Sequence, residues 1–233
     1  MGHDAWSCDL LPAEDESPHH IQGDLLGVID GGWDLAVFHP PCTHLAVSGA
    51  RWFKDKQAEQ AEALEFVRAL LAAPIPKIAL ENPVSIISSR IRKPDQVIQP
   101  WHYGADASKK TCLWLKGLPK LEVHLPNIVP PKGWRLVREV TDMLECEGCG
   151  EPYCPEHEEH YADCECISST TPDATYKVVD GVAFATLEDP APRMLWANQT
   201  PSGQNKLGPS ADRWKLRSAT YPGIAKAMAE QWG

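Results

Sequence analysis

The chain has 233 residues, 22 Lys+Arg against 32 Asp+Glu for a net charge of -10, and 43% hydrophobic residues, enough to bury a sizeable core. Nine tryptophans and this apolar content exclude a largely disordered chain, and no run approaches the roughly 18 apolar residues of a membrane helix. The opening MGHDAWSCDLLPAEDESPHH has neither a basic start nor an apolar stretch of the secretory kind, so a soluble cytoplasmic protein is expected.

Charge is unevenly spread. Residues 1–89 hold 5 basic and 13 acidic side chains, 90–140 hold 10 and 4, 141–166 hold none and 9, and 191–233 hold 6 and 2. Two basic stretches therefore flank an acidic insert, a pattern that permits a phosphate-binding face on an acidic protein and equally fits ordinary solvated faces.

The first element in chain order is the apolar run 33–38, after Gly31-Gly32 and before Pro40-Pro41, which predicts a buried parallel strand. Its carboxyl end carries His39-Pro40-Pro41-Cys42. Residues 55–72 predict a helix capped by Asp55, with Ala58, Ala61, Leu64, Val67, Ala69 and Leu71 at broadly helical spacing and a stop before Pro74. A second strand over 77–80 follows, ending in the polar cluster Glu81-Asn82-Pro83, so strand, helix and strand form a parallel crossover unit. Further on come a strand over 111–115, a hairpin over 176–186 turning at Asp180-Gly181, and a closing helix over 222–232 with proline in its first turn. The fold class expected is α/β. In open α/β sheets ligands sit outside the carboxyl ends of the strands, so Cys42 and Glu81, each taken to follow a strand, are expected to face one crevice.

A cysteine behind two prolines sits on a stiff loop, and a nucleophilic thiolate needs that exposure. A carboxylic acid nearby can protonate or hydrogen-bond a ring nitrogen. The plainer account makes Cys42 a small buried hydrophobe and Glu81 a cap.

Five of the eight cysteines crowd into one segment with two histidines: Cys146, Cys149, Cys154, His157, His160, Cys164 and Cys166. Seven soft or imidazole ligands within so short a stretch predict zinc rather than a disulfide framework, free cysteines on a loop being the alternative. Cys146, Cys149, Cys164 and Cys166 form the favoured set for one ion, with Cys154, His157 and His160 as a second group. The surrounding carboxylates argue against DNA contact there, so the metal is expected to act as a structural staple.

The stretch Pro40-Pro41-Cys42-Thr43-His44-Leu45-Ala46-Val47-Ser48-Gly49 resembles the Pro-Pro-Cys loop of C5-cytosine-specific DNA methyltransferases, with Ala46 where the family usually has serine. Glu81-Asn82-Pro83 resembles that family's Glu-Asn-Val motif, one helix and one strand downstream. The chain is similar in particular to the short methyltransferase-like proteins of bacteriophages.

The resemblance implies a Rossmann-like S-adenosylmethionine-dependent methyltransferase sheet, with Cys42 attacking C6 of a flipped cytosine and Glu81 contacting N3 and the exocyclic amine. It implies cofactor contacts by Asp9 at the ribose, Asp24 at the adenine amine, and Pro40 and Thr220, the last in a final motif spanning 217–225. Double-stranded DNA is the implied partner, met at its phosphates by Lys109, Lys110, Arg213 and Arg217; Lys109-Lys110-Thr111 stands where the family has an arginine-rich motif and lacks its arginine pair.

The family's glycine-rich first cofactor loop has no counterpart before Gly2-His3-Asp4, so the chain is expected to begin inside the cofactor fold. The organisation expected is an incomplete catalytic core over 1–125, a zinc-bearing insert and target-recognition region over 126–190, and a segment returning to the core over 191–233. Three other readings stay open: a DNA amino-methyltransferase, for which Cys42 is dispensable; a catalytically inactive nucleic-acid-binding module; and an enzyme modifying C5 of a free pyrimidine nucleotide.

Overall fold

The computed structural model describes residues 2–124, 127–136, 144–145, 152–154, 159–160, 175–186, 190, 192–210 and 219–233. They fall into two compact units: Met1–Gln99 with Lys109–Glu122 and Ile224–Gly233, and Pro100–Ser108 with Val123–Gly223. The described chain is mixed α/β, and no described helix is long and apolar enough to cross a membrane.

The first unit is organised by a four-stranded sheet of β3 (Leu35–Phe38), β4 (Lys77–Pro83), β5 (Gln96–Ile98) and β6 (Thr111–Lys116), in the order β3-β4-β6-β5. β3 and β4 are parallel, with Phe38 opposite Leu80 as the last pair, and the helix α1 (Gln57–Ala72) connects them as the pattern of the sequence predicts. β6 runs antiparallel to both β4 and β5. Two short parallel strands, β1 (Ser7–Asp9) and β2 (His20–Gln22), form a separate pair.

Leu64, Val67 and Leu70 recur at helical spacing on α1 and are buried against Phe38, Ile78, Leu80 and Trp114 of the sheet. The helix ends where Ala73 turns extended (φ -50, ψ 145), as a residue before proline must. Its start differs from the sequence expectation. A 3-10 segment runs over Val47–Asp55, so Lys56 takes the cap position with no side-chain cap bond, and Asp55 comes one residue too early to cap.

β4 is also longer than expected. It continues through Glu81, Asn82 and Pro83 because β6 keeps pairing with it, Glu81 opposite Leu113 and Asn82 opposite Cys112, after β3 has ended. Glu81 therefore stands inside a strand rather than after one, at a point where the β3 side of β4 is no longer occupied by a strand.

In the second unit β11 (Thr175–Val179) and β12 (Val182–Thr186) make the expected hairpin. Asp180 (φ 50) and Gly181 (φ 79) both take the left-handed conformation that a two-residue hairpin turn requires. β7 (Arg135–Leu136) joins the other edge of β12, whose five residues are all buried. Trp101 anchors this core, stacked on Trp196 and edge-on to Phe184, each at a centroid distance of 5.6 Å. Three further strands, β8 (Leu144–Glu145), β9 (Pro152–Cys154) and β10 (Glu159–His160), pair antiparallel in the order β10-β9-β8. α2 (Ile87–Arg90) is a single turn, and α3 (Pro222–Trp232) closes the chain with proline at its first position.

Candidate active site

Period-two alternation sets the site. Phe38, Ile78 and Leu80 point toward α1, so His39 and Glu81, one residue further along each parallel strand, emerge on the opposite face. There His39 Nδ1 lies 3.1 Å from Glu81 Oε2. Asn82, on the alternate face, is buried, and its Nδ2 donates to the Pro40 carbonyl at 3.0 Å.

The Cys42 loop is stitched to the segment after β4 at several points. The Cys42 carbonyl accepts from Leu45 N at 3.0 Å and Ala46 N at 2.9 Å, which closes a turn behind the two prolines. Val47 N donates to the Val84 carbonyl, Ile86 N donates to the Leu45 carbonyl, and Ala46 and Ser85 form an antiparallel bridge. Leu45 and Ile87, both fully buried, fasten the two segments to the core. The backbone carrying Cys42 is thus held by the residues immediately following Glu81.

The described free cysteines differ in environment. Cys42 is exposed, Cys8 is half-buried and Cys112 is buried on β6. Burial first, and the Glu81 charge second, push the Cys112 thiol up, with Lys110 acting in the opposite sense. A thiol so placed stays protonated, which leaves Cys42 as the accessible sulfur beside Glu81's strand. His44 Nδ1, Asn82 Oδ1 and Ser85 Oγ are buried without a hydrogen-bond partner among the described residues. Such orphaned groups in two adjoining segments are recovered by an ordered water or a ligand donor.

The expected cofactor acids lie at the ends of the β1-β2 pair. Asp9 Oδ1 accepts from Leu11 N at 2.9 Å, and Asp24 Oδ1 accepts from Leu26 N at 3.0 Å, so each caps a turn. Both act on one thiol: Cys8 donates to the Gly23 carbonyl, and burial, then Asp9, then Asp24 push its pKa up. Pro40 is buried in the Cys42 loop, and Thr220 is half-buried in the second unit just before α3.

Lys109 and Lys110 precede β6. The Lys109 N–H donates to Gln99 Oε1 at 3.0 Å, and its carbonyl accepts from Thr111 Oγ1 at 3.1 Å, fixing the backbone from which both side chains extend. Arg213 and Arg217 lie outside the described residues. So do Cys146, Cys149, His157, Cys164 and Cys166, while Cys154 and His160 are described only as strand positions, with Cys154 opposite Glu159 and His160 opposite Tyr153. Among the described residues no cluster of three or more His, Cys, Asp or Glu is arranged for a metal.

Two functional candidates emerge only with the register. His39 and Asn82 were visible as polar residues at strand ends, but their partners, Glu81 and the Pro40 carbonyl, depend on how β3 and β4 align. Comparison with family models, with curated proteins and with solved structures finds no match to this chain.

Proposed function

We propose that this chain is a DNA (cytosine-5)-methyltransferase-like protein that transfers a methyl group from S-adenosylmethionine to C5 of cytosine in double-stranded DNA through a covalent Cys42 adduct. The observation that carries the reading is the 3.0 Å bond from Asn82 Nδ2 to the Pro40 carbonyl, which joins the loop of an exposed cysteine to the strand of a half-buried carboxylate. The two motifs that carry the family resemblance are brought together by their own residues.

In this reading the Cys42 thiolate attacks C6 of a cytosine turned out of the duplex, since neither face of C6 is reachable inside the stack. Glu81 holds N3 and the exocyclic amine and stabilises the enamine that forms. C5 then takes the methyl group, and loss of the C5 proton expels Cys42. S-adenosylmethionine supplies an electrophilic methyl group. Asp9 and Asp24 fit it as a pair of carboxylates near one thiol, the second oxygen of each having no partner among the described residues. Pro40 and Thr220 complete the proposed cofactor set.

The parallel β3-α1-β4 unit supports a Rossmann-like sheet for this chain. Lys109, Lys110, Arg213 and Arg217 are assigned to DNA phosphates. Zinc is assigned to the segment from Cys146 to Cys166 as a structural ion. Support comes from the density of cysteine and histidine in that segment of the sequence. Transfer of a labelled methyl group from S-adenosylmethionine to cytosine in duplex DNA, lost in Cys42→Ala, is the expected result. Transfer that survives Cys42→Ala would favour methylation of an amine instead.

A further inference from the structure

Phe38 and Leu80 are the last partners of β3 and β4, and one residue beyond them His39 Nδ1 meets Glu81 Oε2 at 3.1 Å. The two side chains differ in their access to water, with the imidazole 43% exposed and the carboxylate 12% exposed. His39 therefore lies between solvent and a mostly covered acid.

The other titratable or charged groups around Glu81 are differently placed. From β6, Cys112 senses the Glu81 charge but is buried, and Lys110, at the foot of that strand, acts on Cys112 with the opposite sign. Cys42 and His44 lie on the loop that follows His39. Among the described residues, the hydrogen bond to the Glu81 carboxylate comes from His39. Imidazole is also the side chain suited to exchanging protons near neutral pH.

We infer that His39 is the positioning residue and proton relay of Glu81, an assignment that rests on the cytosine methyltransferase reading. The step starts from the form in which His39 carries a proton on each ring nitrogen and the Nδ1–H faces the Glu81 carboxylate. Attack of Cys42 Sγ on C6 forms the S–C bond and sends an electron pair into the ring, which makes N3 basic. The His39 N–H bond breaks as its Nδ1 proton passes to the Glu81 carboxylate, and the carboxyl so formed gives its proton to N3, forming the N3–H bond. The carboxylate is regenerated and the imidazole is left neutral. Expulsion of Cys42 returns the proton from N3 through Glu81 to Nδ1. His39 acts through Glu81 and does not touch the base.

Two measurements on the full chain test this. In histidine NMR spectra, the His39 ring signals, assigned by their loss in His39→Gln, are expected to move in Glu81→Gln, because the hydrogen bond between Nδ1 and the carboxylate is removed. In parallel, the rate of covalent trapping by duplex DNA containing 5-fluorocytosine, with S-adenosylmethionine present, is followed across pH. The wild-type rate is expected to fall as rising pH removes the proton that the relay passes on. His39→Gln, which keeps an N–H donor but has no proton to yield, is expected to lose that limb and to slow by about tenfold or more.

His39 ring signals that stay in place in Glu81→Gln, or a His39→Gln rate and pH profile matching the wild type, overturn the relay and leave the methyltransferase reading intact. A wild-type limb that coincides with no histidine titration does the same without any variant. Absence of trapping by the intact chain overturns the reading itself, and the relay with it.

Discussion

The side-chain amide of Asn82 donates to the carbonyl of Pro40 at 3.0 Å, so the residue next to the candidate acid holds the loop of the candidate nucleophile. Asn82 is 1% exposed, and its substitution leaves that carbonyl without its donor. Asn82→Ala is expected to lower stability by about 1–3 kcal/mol and to slow methyl transfer by tenfold or more. Chemical denaturation and single-turnover kinetics check the two effects, and unchanged kinetics with lowered stability would reduce Asn82 to a core residue.

Leu45 makes the same connection through packing. It is fully buried, three residues after Cys42, and its backbone carbonyl accepts from Ile86 N. Leu45→Ala is expected to cost about 2–5 kcal/mol, measured by denaturant unfolding. A loss under 1 kcal/mol, on the order of a surface substitution, would mean that the Cys42 loop is not anchored as described.

At the opposite end of the sheet, Gly117 follows β6 with φ +64, and a Cβ there would overlap the Pro76 carbonyl oxygen. Strain and overlap act together, so Gly117→Ala is expected to destabilise by about 1–3 kcal/mol or more. A melting temperature equal to the wild type's would contradict the approach of this turn to the start of β4.

His102 gives the second unit a pH dependence. Burial lowers its pKa from 6.5 to about 4, with Asp180 opposing the shift. The unfolded chain then takes up the proton first, so stability is fully present above about pH 6.5, declines as pH falls toward about 4, and levels off below that. The contribution is at most roughly 3 kcal/mol, read from unfolding free energies across that range. A flat profile, or one identical in His102→Gln, would contradict it.

The zinc assignment makes a compositional prediction. Metal analysis of the purified chain is expected to find about one or two zinc ions, and a strong chelator is expected to lower the melting temperature. A metal-free chain with full stability would remove zinc from the account.

Much of the frame was legible because its signals are local. The run at β3, the helical spacing of Leu64 and Val67, the Asp180-Gly181 turn and Pro222 at the start of α3 each announce an element without reference to the rest of the chain. Other features depend on partners distant in sequence. β1, β2 and β5 are three-residue strands with no alternation to read, and they exist through backbone pairing. Glu81 was expected after a strand and lies within one, because its extension is set by β6. Asp55 looked like a helix cap until the preceding 3-10 segment shifted the cap to Lys56. The link between His39 and Glu81 appears only when the register of two strands places residue 39 beside residue 81.

The most direct measurement is mass analysis of the chain after incubation with S-adenosylmethionine and duplex DNA containing 5-fluorocytosine. The account predicts a covalent protein–DNA adduct, mapped by digestion to the peptide containing Cys42 and absent in Cys42→Ala. An adduct that persists in Cys42→Ala, or no adduct under conditions where the DNA is bound, would contradict it.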